Sequence, residues 1–277
     1  MRTKSLIAIA AASLLALGAC SSDAKDDKTT EAGTEVVKLV VGASPVPHAD
    51  ILKFVDDNLA AAAGIDLEIK EYTDYVQPNV ALDAGELDAN FFQHVPYFDD
   101  QVATKGYKFS HGEGVHIEPF GIYSKKVTDL KDIAEGGVIV VTNDASNQAR
   151  GLKLLEDAGL ITLTDAEVPS LFDVKDNPKN LQIKESDAAA IAIQLPDVDA
   201  AVINGNFALE AGLIPSKDAL QLESGEDNPY GNVLAWETDG KNVDAVKKLD
   251  ELLHSKEVAD FITEKYPNGE VIPAFTN

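Results

Sequence analysis

The run Tyr72–Tyr97, YTDYVQPNVALDAGELDANFFQHVPY, carries the pattern that decides the fold. Pro78 suits the first turn of a short helix that continues to Ala84 and stops at Gly85. Leu87–Phe92 then reads as a strand, and Pro96 opens another helix. Helix, strand and helix in such close order imply βα alternation. The same run is dense in rings: Tyr72, Tyr75, Phe91, Phe92 and Tyr97 are five of 18 aromatic residues, the chain having 7 Tyr, 10 Phe and 1 Trp. Apolar walls with a few polar groups are what a small-molecule pocket requires. A core segment whose rings only pack has the same composition, so the run alone leaves both readings open. Alternation along the strands turns Tyr72 and Phe91 away from the face that Tyr75, Phe92, His94 and Tyr97 would share.

On either side the alternation continues. Val36–Val41 is an apolar strand, Asp50–Ala63 a helix closed by Gly64, and Asp66–Glu71 a strand with Leu67 and Ile69 on one face. Tyr107–Ser110, Ile117–Ser124 and the β-branched run Val138–Thr142 follow as strands. Asn143 and Asp144 are both N-cap candidates for a helix reaching Ala158. Leu181–Ile183, Val198–Ile203 and Asn232–Trp236 read as strands; Ser186–Leu195, Asn206–Ala211, Val243–His254 and Glu257–Tyr266 read as helices. Strands separated by helices of about ten residues predict an α/β protein with mostly parallel sheets. The length favours two lobes over one sheet. Ligands in such folds bind beyond the carboxyl ends of strands. Tyr75, His94, Asn143 and Asn204 all follow predicted strands.

The formal net charge of −24 repels phosphate backbones and argues against a nucleic-acid partner. Arg2 and Lys4 precede the apolar stretch Leu6–Leu17, and Leu17-Gly18-Ala19-Cys20 has the form of a lipobox. Residues 1–19 are therefore expected to be a lipoprotein signal peptide. Cys20, the only cysteine, is expected to carry the lipid, and residues 20–35 to form a disordered tether. The protein is expected at the extracytoplasmic face of the cell membrane, held by its lipid anchor and monomeric.

Arg150 stands out because the chain has only two arginines and Arg2 lies in the signal segment. A guanidinium differs from an ammonium by its rigid fork of donors, which grips a carboxylate at two points. A structural ion pair with one of the 47 acidic residues is the alternative. Asn204 and Asn232 lie at strand boundaries, where an amide can hold either end of a zwitterion or simply serve a turn. His94, His111 and His116 have no compact metal-ligand spacing, so no metal site is expected. The sequence contains no G-x-S-x-G, no P-loop, no G-x-G-x-x-G and no H-E-x-x-H. Binding without catalysis, and without a cofactor, is the resulting expectation.

The chain resembles the methionine-binding lipoproteins of the MetQ and NlpA type, which serve bacterial ABC importers. The likeness rests on Val41-Gly42-Ala43-Ser44-Pro45-Val46-Pro47-His48, Asp74-Tyr75-Val76-Gln77-Pro78-Asn79 and Phe92-Gln93-His94-Val95-Pro96-Tyr97. Glu118-Pro119-Phe120-Gly121-Ile122-Tyr123-Ser124, Asn143-Asp144 through Arg150, Val202-Ile203-Asn204 and Pro229-Tyr230-Gly231-Asn232 complete it. Two departures are Ala145-Ser146, where Pro-Thr is usual, and Gly231, where a larger residue is common. The resemblance implies a two-lobed periplasmic-binding-protein fold of type II-like form, with the ligand in the cleft between lobes. The lobes would be 37–122 plus 227–277, and 123–226. It implies that Tyr75, Phe92, His94 and Tyr97 wall in a ligand side chain, that Arg150 pairs with a carboxylate, and that Asn204 and Asn232 hold the polar end. Asn147 and His116 are further candidates. The implied ligand is methionine, L- or D-, and the implied partners are a membrane permease and its ATPase. Another small amino acid, a methionine-containing dipeptide, a metal ion or a surface enzyme are the alternatives.

Overall fold

The computed structural model describes residues 36–275. The signal segment 1–19, Cys20 and the tether 20–35 lie outside the described residues, as do residues 276–277. Strand β1 (Val37–Ala43) turns at Pro45–Ala49 into α1 (Asp50–Asn58), which buries Ile51, Leu52 and Val55 against the sheet. A tight turn over Ala60–Ala63 ends at Gly64, whose φ of 73° suits a residue without Cβ. Next come β2 (Ile65–Glu71), α2 (Gln77–Asp83), β3 (Ala89–His94) and α3 (Val95–Lys105). Short strands β4 (Phe109–His111) and β5 (His116–Ile117) finish this part.

The chain then crosses to a second sheet. This consists of β6 (Gly121–Tyr123), β7 (Val138–Thr142), α4 (Ala145–Asp157), a hairpin of β8 (Thr162–Leu163) and β9 (Val174–Asp176), and β10 (Gln182–Ser186). It continues through α5 (Ala188–Gln194), β11 (Ala200–Ile203), α6 (Gly205–Glu210), α7 (Pro215–Asp218) and β12 (Ala219–Leu222). The chain returns as β13 (Asn232–Glu237), α8 (Val243–Leu253), α9 (Lys256–Lys265) and β14 (Ile272–Pro273).

The first sheet has the order β14-β5-β13-β3-β1-β2, with β4 also on β13; the second has the order β10-β7-β11-β6-β12. This is a two-lobed α/β fold. Its sheets are mixed. Strands joined through helices are parallel: β1 with β2 and β3, and β7 with β10 and β11. The strands that enter from the other sheet are antiparallel to their neighbours, β13 against β3, β4 and β5, and β6 against β11 and β12. No crossover helix precedes these strands within their own sheet, so nothing forces them to run parallel.

The expected strand Ile117–Ser124 is two strands. Pro119 has no N–H to offer a ladder, and Glu118–Phe120 carries the chain from one sheet to the other. The return runs from Glu223 to Gly231. The two connections lie side by side: Glu223 N donates to Phe120 O at 2.9 Å, and Phe120 N to a Glu223 carboxylate oxygen at 3.2 Å. Each sheet is sealed by its own apolar residues. Leu39, Val41, Ile51 and Leu249 are among those under the first, and Ile122, Ile139, Leu152 and Val202 among those under the second.

Candidate functional site

Residues from both lobes line a narrow pocket, in which about 20 Å³ is open to the centre of a water-sized sphere. Tyr75, Phe92, His94, Tyr97, Asn147, Arg150, Asn204 and Asn232 line it, which gathers eight of the nine candidates. The ninth, His116, lies behind the wall and bonds to Glu118, which does line the cavity. Tyr72 and Phe91 are elsewhere, Phe91 in the first sheet's core and Tyr72 against the cluster that includes Leu82 and Leu87. Asn143 also lies apart, donating to Asp187 at 2.6 Å. Gln93, Glu118, Gly205 and Asn206 complete the lining and were not among the sequence's candidates, although Gln93 and Glu118 lie in motifs of the family resemblance. Gln93 is locked in place by a buried amide cluster with Asn79 and Asn90 that ties α2 to β3.

The apolar side is a cage of rings. Tyr75 lies 5.9 Å from both Phe92 and Tyr97 and 5.0 Å from Phe207. Tyr97 Oη donates to the Tyr75 carbonyl at 2.9 Å, and Tyr75 Oη to Asn206 Oδ1. Burial drives both phenols far above their ordinary pKa, so they stay protonated donors.

The polarity of the amides is fixed by a chain that starts at a carboxylate. Asp144 caps α4 by accepting from Asn147 N, and it also accepts from Asn147 Nδ2 at 3.0 Å. Asn147 Oδ1 therefore points the other way, where it accepts from His94 Nε2 at 3.0 Å and Asn204 Nδ2 at 2.9 Å. His94 must carry its proton on Nε2, and its Nδ1 accepts from Tyr97 N at 3.1 Å. The ring is neutral: burial, with Arg150 nearby, lowers its pKa to about 3. Asn204 is left with Oδ1 buried and without a partner, an acceptor in the wall.

Arg150 is 5% exposed and bound to both connections between the sheets. Its Nη2 donates to the Glu118 carbonyl at 2.9 Å in the outgoing segment. Nε donates to Glu223 Oε1 at 2.9 Å in the returning one, and Nη2 completes a two-point ion pair through Oε2. The guanidinium lies 4.0 Å from the Tyr230 ring centroid and 4.9 Å from that of Phe120. The ion-pair alternative thus has a partner in Glu223, and the same arginine also lines the cavity. Among the described residues Nη1 makes no hydrogen bond, so a ligand anion has a donor left to meet.

Behind the polar end, His48, His116 and Glu118 form the one candidate metal cluster among the described residues, with donor atoms within 4.8 Å of one another. Glu118 Oε1 lies 2.8 Å from His116 Nε2 and 3.4 Å from His48 Nε2. His48 Nε2 also meets Asn232 Oδ1 at 3.0 Å. Both imidazoles are neutral, lowered by burial to about 4 for His48 and about 3 for His116, and burial pushes the Glu118 carboxyl up. A metal-bound imidazole donates its second N–H to an acceptor. Here both Nδ1 atoms are buried without a partner. The donor set fits a His116 Nε2–H holding the carboxylate, with the His48 Nε2–H given to Asn232 Oδ1, better than it fits a metal. Asn232, its Oδ1 committed to His48, offers Nδ2 as a donor.

Residues 39–275 match the sequence model of the NlpA lipoprotein family. The methionine-binding lipoprotein MetQ of Bacillus subtilis is 42% identical over 243 residues, covering 85% of this chain and 88% of that protein. The D-methionine-binding lipoprotein MetQ of Escherichia coli is 36% identical, covering 93% of each chain. Among solved structures, a nutrient binding protein from Burkholderia cenocepacia bound to methionine shares 42% identity with a TM-score of 0.81, over 86% of this chain and all of that one. A chain with this fold, this cavity and these relatives belongs to the NlpA lipoprotein family.

Proposed function

We propose that the protein is the substrate-binding lipoprotein of an ABC importer, taking methionine into the cavity and passing it to a membrane permease and ATPase. The observation that carries this reading is the pairing, in one pocket, of a ring cage with a polar end that holds both donors and acceptors. A thioether is soft, and its contacts with ring edges contribute about 0.3–1.5 kcal/mol each. Arg150 Nη1 and Asn232 Nδ2 suit a carboxylate; Asn204 Oδ1 suits an ammonium. Tyr75, Phe92, His94 and Tyr97 would surround the side chain, Asn147 would orient its neighbours, and His116 would act from behind Glu118. The methionine-binding relative and the methionine-bound neighbour support the same reading.

The lobes would be 37–122 plus 227–277, and 123–226, closing about the paired connections at Glu118–Phe120 and Glu223–Gly231. The chain would work as a monomer on the extracytoplasmic face of the cell membrane, anchored through lipid on Cys20. Titration calorimetry of the full chain in detergent with L- and D-methionine tests the proposal. Saturable heat with either isomer at one site is the expected result. Binding only of a different amino acid, a methionine-containing dipeptide or a metal ion would replace it.

A further inference from the structure

Tyr75 belongs to one sheet by sequence and to the other by packing. It lies between β2 and α2, in a segment with no regular structure. That segment is held on the side of the first sheet. Asp74 Oδ1 accepts from Val76 N at 2.7 Å and from Gln77 N at 2.8 Å, and the Tyr75 carbonyl accepts from Tyr97 Oη at 2.9 Å. The side chain goes the other way. Its ring packs on the apolar cluster of the second sheet that contains Ile203, Phe207 and Ala208, with the Phe207 ring 5.0 Å away. Its Oη donates to Asn206 Oδ1 on α6. Apart from the connecting segments 118–120 and 223–231, the described residues make two side-chain hydrogen bonds between the parts built on the two sheets. One runs from His94 Nε2 to Asn147 Oδ1 and belongs to the polar network of the pocket. The other is Tyr75 to Asn206. A cage for a thioether needs a ring at position 75 and no hydroxyl. The hydroxyl is explained by Asn206, 131 positions away in the sequence.

We propose that Tyr75 is the clasp of the cleft: its ring and hydroxyl hold α6 against the first lobe and so set how long a bound ligand stays. The inference rests on the reading of two lobes that close on a ligand. Asn206 is 1% exposed, so the bond is formed away from water when the lobes meet and is lost to water when they part. An arriving ligand meets a cleft in which the bond has not yet formed. A departing ligand must wait for it to break, so the clasp acts on release rather than on capture. Both bonding atoms belong to the protein, so this contribution does not depend on what the ligand presents to the polar end. Tyr75→Phe keeps the ring but leaves Asn206 Oδ1 buried without its donor in the closed form alone. An apolar pair of the same shape removes that penalty, because no buried polar atom is then orphaned.

The test measures release and capture separately on the full chain in detergent. A chase of radiolabelled methionine gives the dissociation rate, and rapid mixing gives the association rate. Tyr75→Phe should release methionine about 3- to 10-fold faster, the range of one buried hydrogen bond, with association changed by less than about twofold. Tyr75→Phe combined with Asn206→Leu should recover part of the lost residence time. Unchanged dissociation in Tyr75→Phe, slower association as its main effect, or losses that simply add in the double variant each overturn the assignment. Should the double variant fail to fold in a thermal melt, the rates of Tyr75→Phe decide alone. A second readout needs no ligand: spin labels on Asp83→Cys and Ile193→Cys, exposed on α2 and α5, report the separation of the lobes. The longer-distance share should grow in Tyr75→Phe, and an unchanged distribution overturns the clasp whether or not methionine is the ligand. Absence of methionine binding by the wild type would strike at the functional proposal and leave this distance measurement to judge the clasp.

Discussion

Arg150 and Glu223 meet through two points, Nε to Oε1 at 2.9 Å and Nη2 to Oε2, at the place where the chain returns to its first sheet. The arginine projects from α4, so the pair ties a helix of the second lobe to one connection while Nη2 bonds to the other at Glu118. The Tyr230 and Phe120 rings flank it. An ammonium cannot fill these roles, having no second donor in a fixed plane and no flat face to stack. Arg150→Lys should destabilise the protein by about 2–3 kcal/mol, below the cost of wholly breaking a buried pair because the charge is kept. Methionine affinity should fall more than tenfold. Denaturant titration and calorimetry check both; unchanged affinity would remove Arg150 from the ligand site.

Asn147 uses its two ends differently, and His94 and Asn204 depend on the carbonyl end. Asn147→Leu has nearly the same volume but leaves His94 Nε2–H and Asn204 Nδ2 without their acceptor. Orphaning a buried donor costs about 1–3 kcal/mol. The amide of Asn204 would also be free to turn and offer the ligand the wrong end. The expected outcome is a stability loss of about 2 kcal/mol and a drop in methionine affinity of at least tenfold. A loss of stability with intact affinity would mean that Asn147 serves the fold alone.

Much of this site was legible because it lies where strands end. Tyr75 and Asn204 follow β2 and β11, His94 ends β3, and period-two alternation separated Phe92 from Phe91. Arg150 was legible by rarity. Rarity could not reveal its partner: Glu223 is one of 47 acidic residues, in a connection with no regular structure. Glu118 was hidden for the same reason, and because the sequence read its segment as continuous strand, in which the broken ladder at Pro119 was invisible. His48 lies in a motif that the resemblance matched, yet nothing local indicates that its ring reaches Asn232 across 184 positions of sequence. Short β8, β9, β12 and β14 have too few residues to show a period.

Gly205 is there because Glu118 is close. A Cβ on residue 205 would stand 2.6 Å from Glu118 Cβ and 3.2 Å from Oε2. The first atom is near the backbone and has little room to yield. Gly205→Ala should therefore cost about 1–3 kcal/mol, the usual penalty for overpacking, and shift the carboxylate within the cavity. Methionine affinity should drop together with the unfolding midpoint. If Gly205→Ala binds and unfolds like the parent, the packing of α6 on Glu118 is looser than these distances state.

Three buried histidines make the fold sensitive to mild acid. His48, His94 and His116 have folded pKa values lowered by burial to about 4, 3 and 3, against 6.5 for an exposed imidazole. Because the folded values are the depressed ones, the unfolded chain binds more protons between pH 6.5 and about 4. Stability is thus present above that window and is lost as pH falls through it. From pH 7 to pH 5 each ring contributes a loss of about 2 kcal/mol. Glu118, Asp144 and Asp250 work in the opposite sense, since burial raises their folded pKa values and favours the protonated native state. The net loss should therefore fall short of three full histidine contributions. The clean measurement is a difference: His94→Asn removes one titrating ring and should lose about 2 kcal/mol less than the parent between pH 7 and pH 5 by urea titration. Parallel losses in the two proteins would mean that His94 is not held neutral by its burial.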